Sequence, residues 1–418
     1  MNFLKALRLP QVALLWIGQV LSAIGDYFYT IAVMWIAVKT SGSDAGLVAG
    51  AGGIATIFCG LLGGVYADRW NRRITMIVVD LVRALVVLLL PVLALSGRLQ
   101  FWHLVVVEVI ISSLGALFDP ALQASLPVLT GDARTLQATN GLMDITRRLA
   151  RALGPSLAGL LVTFLPLAHL FTLDAVSFAV SALAVFALGR RFAWKPSQDH
   201  VEKQTGGNAS MLQEIAGAIR LVRNHRPLFW SMLAVIVSNL VWGIAFVVGV
   251  PLLVVHELGN GVGTYGLIVG AYGVGNVLSN LVIGSLDIKR RALLIFLGKV
   301  LLGLGFLLLG LSTSVPMALL ASALAAVGGP MGDIMILVIL QTELPSDQIG
   351  KAFSLHMVLE SGGVALGLFL AVPFFTLVSV PLGIASSAAL LLLVGVAGLI
   401  YCWFREPASQ IATGKTGK

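Results

Sequence analysis

The chain has 418 residues, 58% of them hydrophobic and 11% charged, and a formal net charge of +8. So few charged side chains cannot clothe a water-soluble core of this length, which excludes an ordinary soluble domain and points to lipid as the solvent. The basic residues sit in short loops between apolar runs, so a membrane surface, and not nucleic acid, is the partner they imply.

A helix that crosses a bilayer needs about 20 mainly apolar residues. The apolar runs predict an all-α polytopic membrane protein with twelve spans. The first six are 10–38, 46–67, 74–96, 101–125, 141–165 and 167–188; the second six are 227–256, 263–284, 292–312, 316–341, 351–378 and 380–404. They form two pseudo-symmetric six-helix halves, 1–188 and 227–404, joined by a cytoplasmic linker at 189–226 and followed by a tail at 405–418. The linker piece MLQEIAGAIRLVRNHR is amphipathic and basic, as an interfacial helix should be.

The first span follows Lys5 and Arg8. It is too long for a signal-peptide core and no small-residue cleavage site follows it, so it is expected to stay in the membrane. Inside it Gln19, Ser22, Asp26 and Tyr29 recur at helical spacing, giving one polar stripe. A charged side chain at mid-bilayer costs at least ~2.5–3.5 kcal/mol, and burial disfavours the charged form of a carboxyl group. Asp26 is therefore the sharpest candidate for a proton or cation site; a structural hydrogen bond to a neighbouring span is the alternative.

After the second span comes GGVYADRWNRR, residues 63–73, where four of the six residues from Asp68 to Arg73 are charged. Gly60, Gly63 and Gly64 let neighbouring backbones approach. Asp68, Arg69, Arg72 and Arg73 read as breakable ion pairs and helix-end contacts, a latch that favours one conformation; simple anchoring by the arginines is the plainer alternative. In the third span Asp80 and Arg83, three apart, can neutralise one another. In the fourth, Glu108, Ser112, Gly115 and Asp119 share a face. Glu108 is a proton or substrate candidate beside Asp26, and Asp119 a latch partner for the Arg69 loop.

The fifth span opens with Asp144, Arg147, Arg148 and Arg151, whose spacing lets Asp144 pair with Arg147 or Arg148. Arg148 is expected to anchor at the interface, and Arg147 or Arg151 to meet acidic residues of the other half. Gly154 and Pro155 require a bend or a tight crossing. Asp174 is expected at a helix start or an interspan contact. In the second half, His356 and Glu360 are four apart and can pair. Trp242, with Trp35, Tyr27, Phe28, Phe246 and Tyr272, is a candidate for lining an apolar cavity, although most such rings pack between helices.

Of the 27 Lys and Arg, most fall in one set of alternating loops and ends; the opposite loops hold Lys39 and Arg98 alone. The positive-inside rule then places both termini and the linker in the cytoplasm. The halves also echo one another. LQASLP at Leu122–Pro127 recurs as LQTELP at Leu340–Pro345, and ADRWNRR after span 2 has a counterpart in LDIKRR after span 8.

Gly64-Val-Tyr-Ala-Asp68-Arg69-Trp-Asn-Arg72-Arg73 resembles motif A of the major facilitator superfamily, with Asn71 where that motif has glycine; asparagine tolerates left-handed backbone angles, which would preserve the turn. Phe118–Leu161 resembles spans 4 and 5 of the drug/proton antiporter group that contains macrolide exporters and the enterobactin exporter. Gly154, Pro155 and Gly159 match that group's antiporter motif C, and Phe171–Val185 resembles its sixth span. Span 4 lacks the arginine that many of these antiporters carry there. The resemblance implies a major facilitator fold and a secondary active exporter of amphiphilic, macrolide-like or cationic compounds. It would be driven by proton antiport with alternating access, in a bacterial inner membrane and functional as a monomer. A siderophore exporter and a lysophospholipid transporter are the alternatives within transport, and a polytopic membrane enzyme the alternative outside it. No nucleotide-binding G-x-x-x-x-G-K-[ST], metal cluster or catalytic triad is present in the sequence, so neither cofactor nor metal is expected.

Overall fold

The computed structural model describes residues 7–66, 70–130, 133–189, 220, 222–223, 225–286, 288, 290–344 and 346–405. Asp68, Arg69, most of the linker and the tail beyond Arg405 lie outside the described residues.

Helix α1, Pro10–Ser41, starts on a proline whose missing N–H costs nothing at that position. It ends at Gly42, whose φ of 59° suits glycine. A 3₁₀ turn, Gly42–Asp44, leads to α2, Ala45–Tyr66, which contains Gly64. Helix α3, Arg72–Leu95, follows Asn71. That residue does not take a left-handed angle: its φ is −68° and its Oδ1 accepts the Ile74 N–H, so it caps the helix. The first unit continues with α4, Phe101–Thr130, α5, Ala133–Leu161, and α6, Ala168–Ala187.

Helix α7, Arg226–Val241, passes through a π-helical segment, Trp242–Val248, into α8, Gly249–His256. Then come α9, Val262–Ser285; α10, Arg291–Gly310; α11, Val315–Glu343; α12, Ser346–Leu377; and α13, Val380–Arg405. Among the described residues there is no strand, and ten helical stretches are long and apolar enough to cross a membrane. One of these, Pro10–Gly60, takes in α1 and most of α2. Helix α5 is not among them, because Asp144, Arg147, Arg148 and Arg151 interrupt its apolar character. It also begins earlier than expected, at Ala133, and α4 runs on to Thr130 through Pro120 and Pro127.

The chain divides into two compact units. One holds the residues through 206 together with 260–270; the other holds 207–259 and 271–418. The core of the first is built by Leu15, Met76, Phe118, Leu122, Leu126 and Met143. In the second, Leu228, Ile295, Ile336 and Ile339 are packed to 1% exposure or less. There α10 and α11 meet backbone to backbone: a Cβ added at Gly298 would lie 2.5 Å from the Gly328 carbonyl oxygen.

Candidate functional site

The first unit encloses a cavity of about 200 Å³ with charged walls. Helix α1 contributes Gln19, Ser22 and Asp26; α3 contributes Arg83; α4 contributes Asp119; and α5 contributes Thr146 and Arg147. Two carboxylates thus face two cations across a space large enough for a small group or a few waters. The polar stripe read from the sequence accounts for the α1 wall. Gln19 also donates to the Ser181 hydroxyl at 3.2 Å, which ties this wall to α6.

Tyr29, the fourth member of that stripe, is not in the wall. It is 5% exposed and packs edge-on against Phe171, its ring centroid 6.0 Å away. Among the described residues its hydroxyl has no hydrogen-bond partner, although it faces Glu108. Glu108 itself lies outside the cavity and accepts a 2.9 Å bond from Ser112, four residues along the same helix. Trp242 belongs to the second unit, where it opens the π-helical segment and stacks on Phe246 at 5.8 Å. Phe246 in turn packs on Tyr272 and Phe306.

Asp119 lines the cavity with Asp26, while the Arg69 loop expected to meet it lies outside the described residues. Arg147, expected to seek acids of the other half, lines this same cavity. Arg148 pairs with Asp144 at 2.8 Å on an exposed face, and Arg151 donates to the Tyr27 hydroxyl at 3.4 Å.

Arg83 is the residue that local reasoning undervalued. Its guanidinium does not cancel Asp80 in a tight pair, because Nη1 to Oδ1 is 4.0 Å. It is held between the rings of Phe118 and Phe178, 5.6 and 5.1 Å from their centroids, and reaches the cavity wall. Gly115 leaves it room: a Cβ there would collide with Arg83 Nη2. Asp80 is fully buried, and among the described residues neither of its carboxylate oxygens is hydrogen-bonded. The available signal was the arginine itself, set in the middle of a helix that the bilayer would otherwise forbid it. Asp174 is likewise fully buried, well inside α6, and accepts from Ser177 at the place where Gly25 of α1 crosses. It makes an interspan contact and does not start its helix.

The basic residues after span 2 act on backbone carbonyls of neighbouring helices. Arg72 Nη1 donates to the Ala124 carbonyl of α4 at 2.6 Å, and Arg73 Nη2 donates to the Phe186 carbonyl of α6 at 2.7 Å. A cation is favoured at the α6 end, where carbonyls face outward, whereas Ala124 lies inside α4, between Pro120 and Pro127. In the second unit an arginine again reaches a neighbouring helix, here through side chains. Arg291, which opens α10, donates to Thr342 Oγ1 at 2.5 Å and meets Glu343 at 3.5 Å at the end of α11.

Of motif C, Pro155 and Gly159 form a backbone crossing, while a Cβ at Gly154 would lie 2.7 Å from the Cβ of Tyr27 on α1. A Cβ at Gly159 would lie 2.8 Å from the Gly263 carbonyl oxygen, and one at Gly266 2.5 Å from that of Pro155. At these positions helix α5 therefore packs on the first turns of α9 backbone to backbone. Among the described residues there is no cluster of His, Cys, Asp or Glu fit to hold a metal ion.

Residues 3–413 match the transmembrane secretion effector family. The chain is 26% identical over 393 residues to the multidrug efflux pump Tap of Mycolicibacterium fortuitum, covering 91% of this chain and 93% of that one. It is 22% identical to the uncharacterised MFS-type transporter YvqJ of Bacillus subtilis, over 73% of this chain and 72% of the relative. Its fold is similar to that of the nucleoside transporter NupG, with a TM-score of 0.73 at 15% identity over 93% of this chain and 98% of that one. A peptide transporter of the POT family superposes with a TM-score of 0.70 at 12% identity, over 94% and 96% of the two chains. The chain belongs to the transmembrane secretion effector family, a group of major facilitator transporters.

Proposed function

We propose that this protein is a secondary active exporter of amphiphilic, drug-like compounds, drawn outward by proton antiport and working by alternating access. The observation that carries the reading is the charged cavity of the first unit. Asp26 is its exchangeable carboxyl group. Arg83, tethered between Asp80 and the cavity, is a built-in cation that competes with the cationic group of a substrate for Asp26 and Asp119. A proton on Asp26 removes the charge that holds the substrate, and its loss restores it. Ligand and proton then exclude each other, as antiport requires. The similarity to a multidrug efflux pump along nearly the whole chain supports the same reading.

In this proposal twelve spans form two six-helix halves in a bacterial inner membrane, with both termini in the cytoplasm. Arg72 and Arg73, with Asp68, Arg69 and Gly64, latch helix ends in one state of the cycle, and Gly154, Pro155 and Gly159 provide the close crossing on which it pivots. A lysophospholipid transporter is a second reading, favoured by an apolar groove of about 480 Å³ in the second unit, lined by Leu240, Ile244, Leu370, Phe374, Leu377 and Leu390.

Transport into inside-out vesicles tests the proposal, with macrolides, cationic dyes, siderophores and lysophospholipids as probes, each with and without an uncoupler. The expected result is accumulation of a cationic dye that the uncoupler abolishes and that Asp26→Asn lowers at least about tenfold, a change of ~1.4 kcal/mol in coupling. Uncoupler-resistant accumulation would overturn the proton drive. Full proton-driven accumulation by Asp26→Asn would remove Asp26 from the coupling role.

A further inference from the structure

Three helices of the second unit gather four ionisable side chains: Lys299 on α10, Asp333 on α11, and His356 and Glu360 on α12. Lys299 is 2% exposed, inside a helix apolar enough to cross a membrane. Gly332 makes its place, since a Cβ there would lie 3.0 Å from Lys299 Nζ. The ammonium group therefore lies against the α11 backbone, next to Asp333. A buried cation needs compensating charge, and the carboxylates that act on it are Asp333 and Glu360.

His356 is the unexplained member. Both its ring nitrogens are buried and, among the described residues, neither has a hydrogen-bond partner. Its Nδ1 stands 3.7 Å from Glu360 Oε2, with His356 side chain 12% and Glu360 side chain 44% exposed. Of the two, Glu360 is the one open to the outside of the unit. A neutral imidazole with both nitrogens idle in such a place is costly; a proton between Nδ1 and Oε2 gives one of them a partner. The charges facing it are few. Asp333 and Lys299 are the charges on neighbouring helices that act on it. Residues 227–255, 271–285 and 380–404, which make up the rest of the unit's described apolar helices outside α10 to α12, contain no Asp, Glu, Lys, Arg or His.

We propose that His356 and Glu360 form a second proton-exchange site, holding one shared proton, with Lys299 as the fixed cation beside it. The proton enters from water at Glu360 and returns to water by the same route, with no bond formed or broken in the protein other than N–H or O–H. The use of the site in export rests on the antiport reading; its existence does not.

The test counts protons, which are themselves the probe. Purified full-length protein in detergent is brought from about pH 8 to about pH 6, across the range where an ordinary histidine titrates, and the protons taken up per molecule are measured. His356→Gln and Glu360→Gln should each lower the count by about one, and the double variant also by about one, because a shared proton is lost only once. Losses that add up in the double variant, or an unchanged count in either single variant, overturn the proposal. If His356→Gln does not fold, Glu360→Gln decides alone, since a histidine titrating by itself keeps its proton without Glu360. Failed vesicle export with this pattern intact would sink the antiport reading and leave the site standing. Intact export with additive losses would do the reverse.

Discussion

Replacing Arg83 by leucine separates its two roles. At 4.0 Å from Asp80, a unit charge in an effective dielectric of about 20 is attracted by about 4 kcal/mol. Arg83→Leu removes that attraction and leaves Asp80, 0% exposed and without a hydrogen bond among the described residues, as an uncompensated buried carboxylate. Breaking such a pair costs about 3–5 kcal/mol. For a unit of about 200 residues, at 2–4 °C per kcal/mol, that is a fall in unfolding temperature of roughly 6–20 °C. Removing the orphaned charge as well, with Arg83→Leu/Asp80→Asn, should restore most of the stability, because the desolvated charge and not the packing is what hurts. Transport should not return, because the cavity still lacks its tethered cation. Thermal unfolding in detergent and dye uptake into inside-out vesicles, on the same preparations, read the two effects. An Arg83→Leu protein that unfolds within 2 °C of wild type, or a double variant that transports like wild type, would refute the reasoning.

Asn71 caps α3, so Asn71→Ala should cost about 1 kcal/mol, whereas Asn71→Gly should cost only a few tenths; thermal unfolding of the two variants checks the order. Gly25→Ala should destabilise by about 1–3 kcal/mol through overpacking, because its Cβ would lie 2.6 Å from Asp174 Oδ1 and 3.0 Å from Ser177 Cβ. Gly53→Ala, whose Cβ would meet nothing within 4 Å, should be neutral or stabilising by up to ~1 kcal/mol. Equal effects at the two glycines would show that α1 and α6 do not pack as described.

The apolar helices were legible because lipid leaves the chain little choice: a run of about 20 apolar residues has to be a helix with its backbone bonds closed internally. The α1 wall was legible for the same reason, since Gln19, Ser22 and Asp26 stand out against so apolar a segment. The π-helical turn at Trp242–Val248 was not, because WGIAFVV carries no residue that signals it. Asn71 was misread from its place in a motif, when the asparagine side chain had a simpler use as a helix cap. Arg83 was misjudged because spacing along one helix says which residues are neighbours, not which way a long side chain turns. That direction is set by Phe118, Phe178 and Gly115, on two other helices.

The glycines of this chain then take on a second meaning. Close helix approach is the familiar one, and α5 meets α9 in that way. Yet among the described residues, four glycines lie under an acidic or basic side chain from a neighbouring helix, where a Cβ would crowd it: Gly52 under Glu108, Gly115 under Arg83, Gly25 against Asp174, and Gly332 under Lys299. An ionisable group inside the bilayer needs space to lie flat and polar backbone to lie against, and a glycine on the facing helix supplies both. These four charged positions are therefore written twice in the sequence, once as the charged residue and once as the glycine that receives it. Enlarging such a glycine should displace the charge and leave the helix intact, so Gly115→Ala should impair transport by moving Arg83 while the α-helical content of the protein is unchanged.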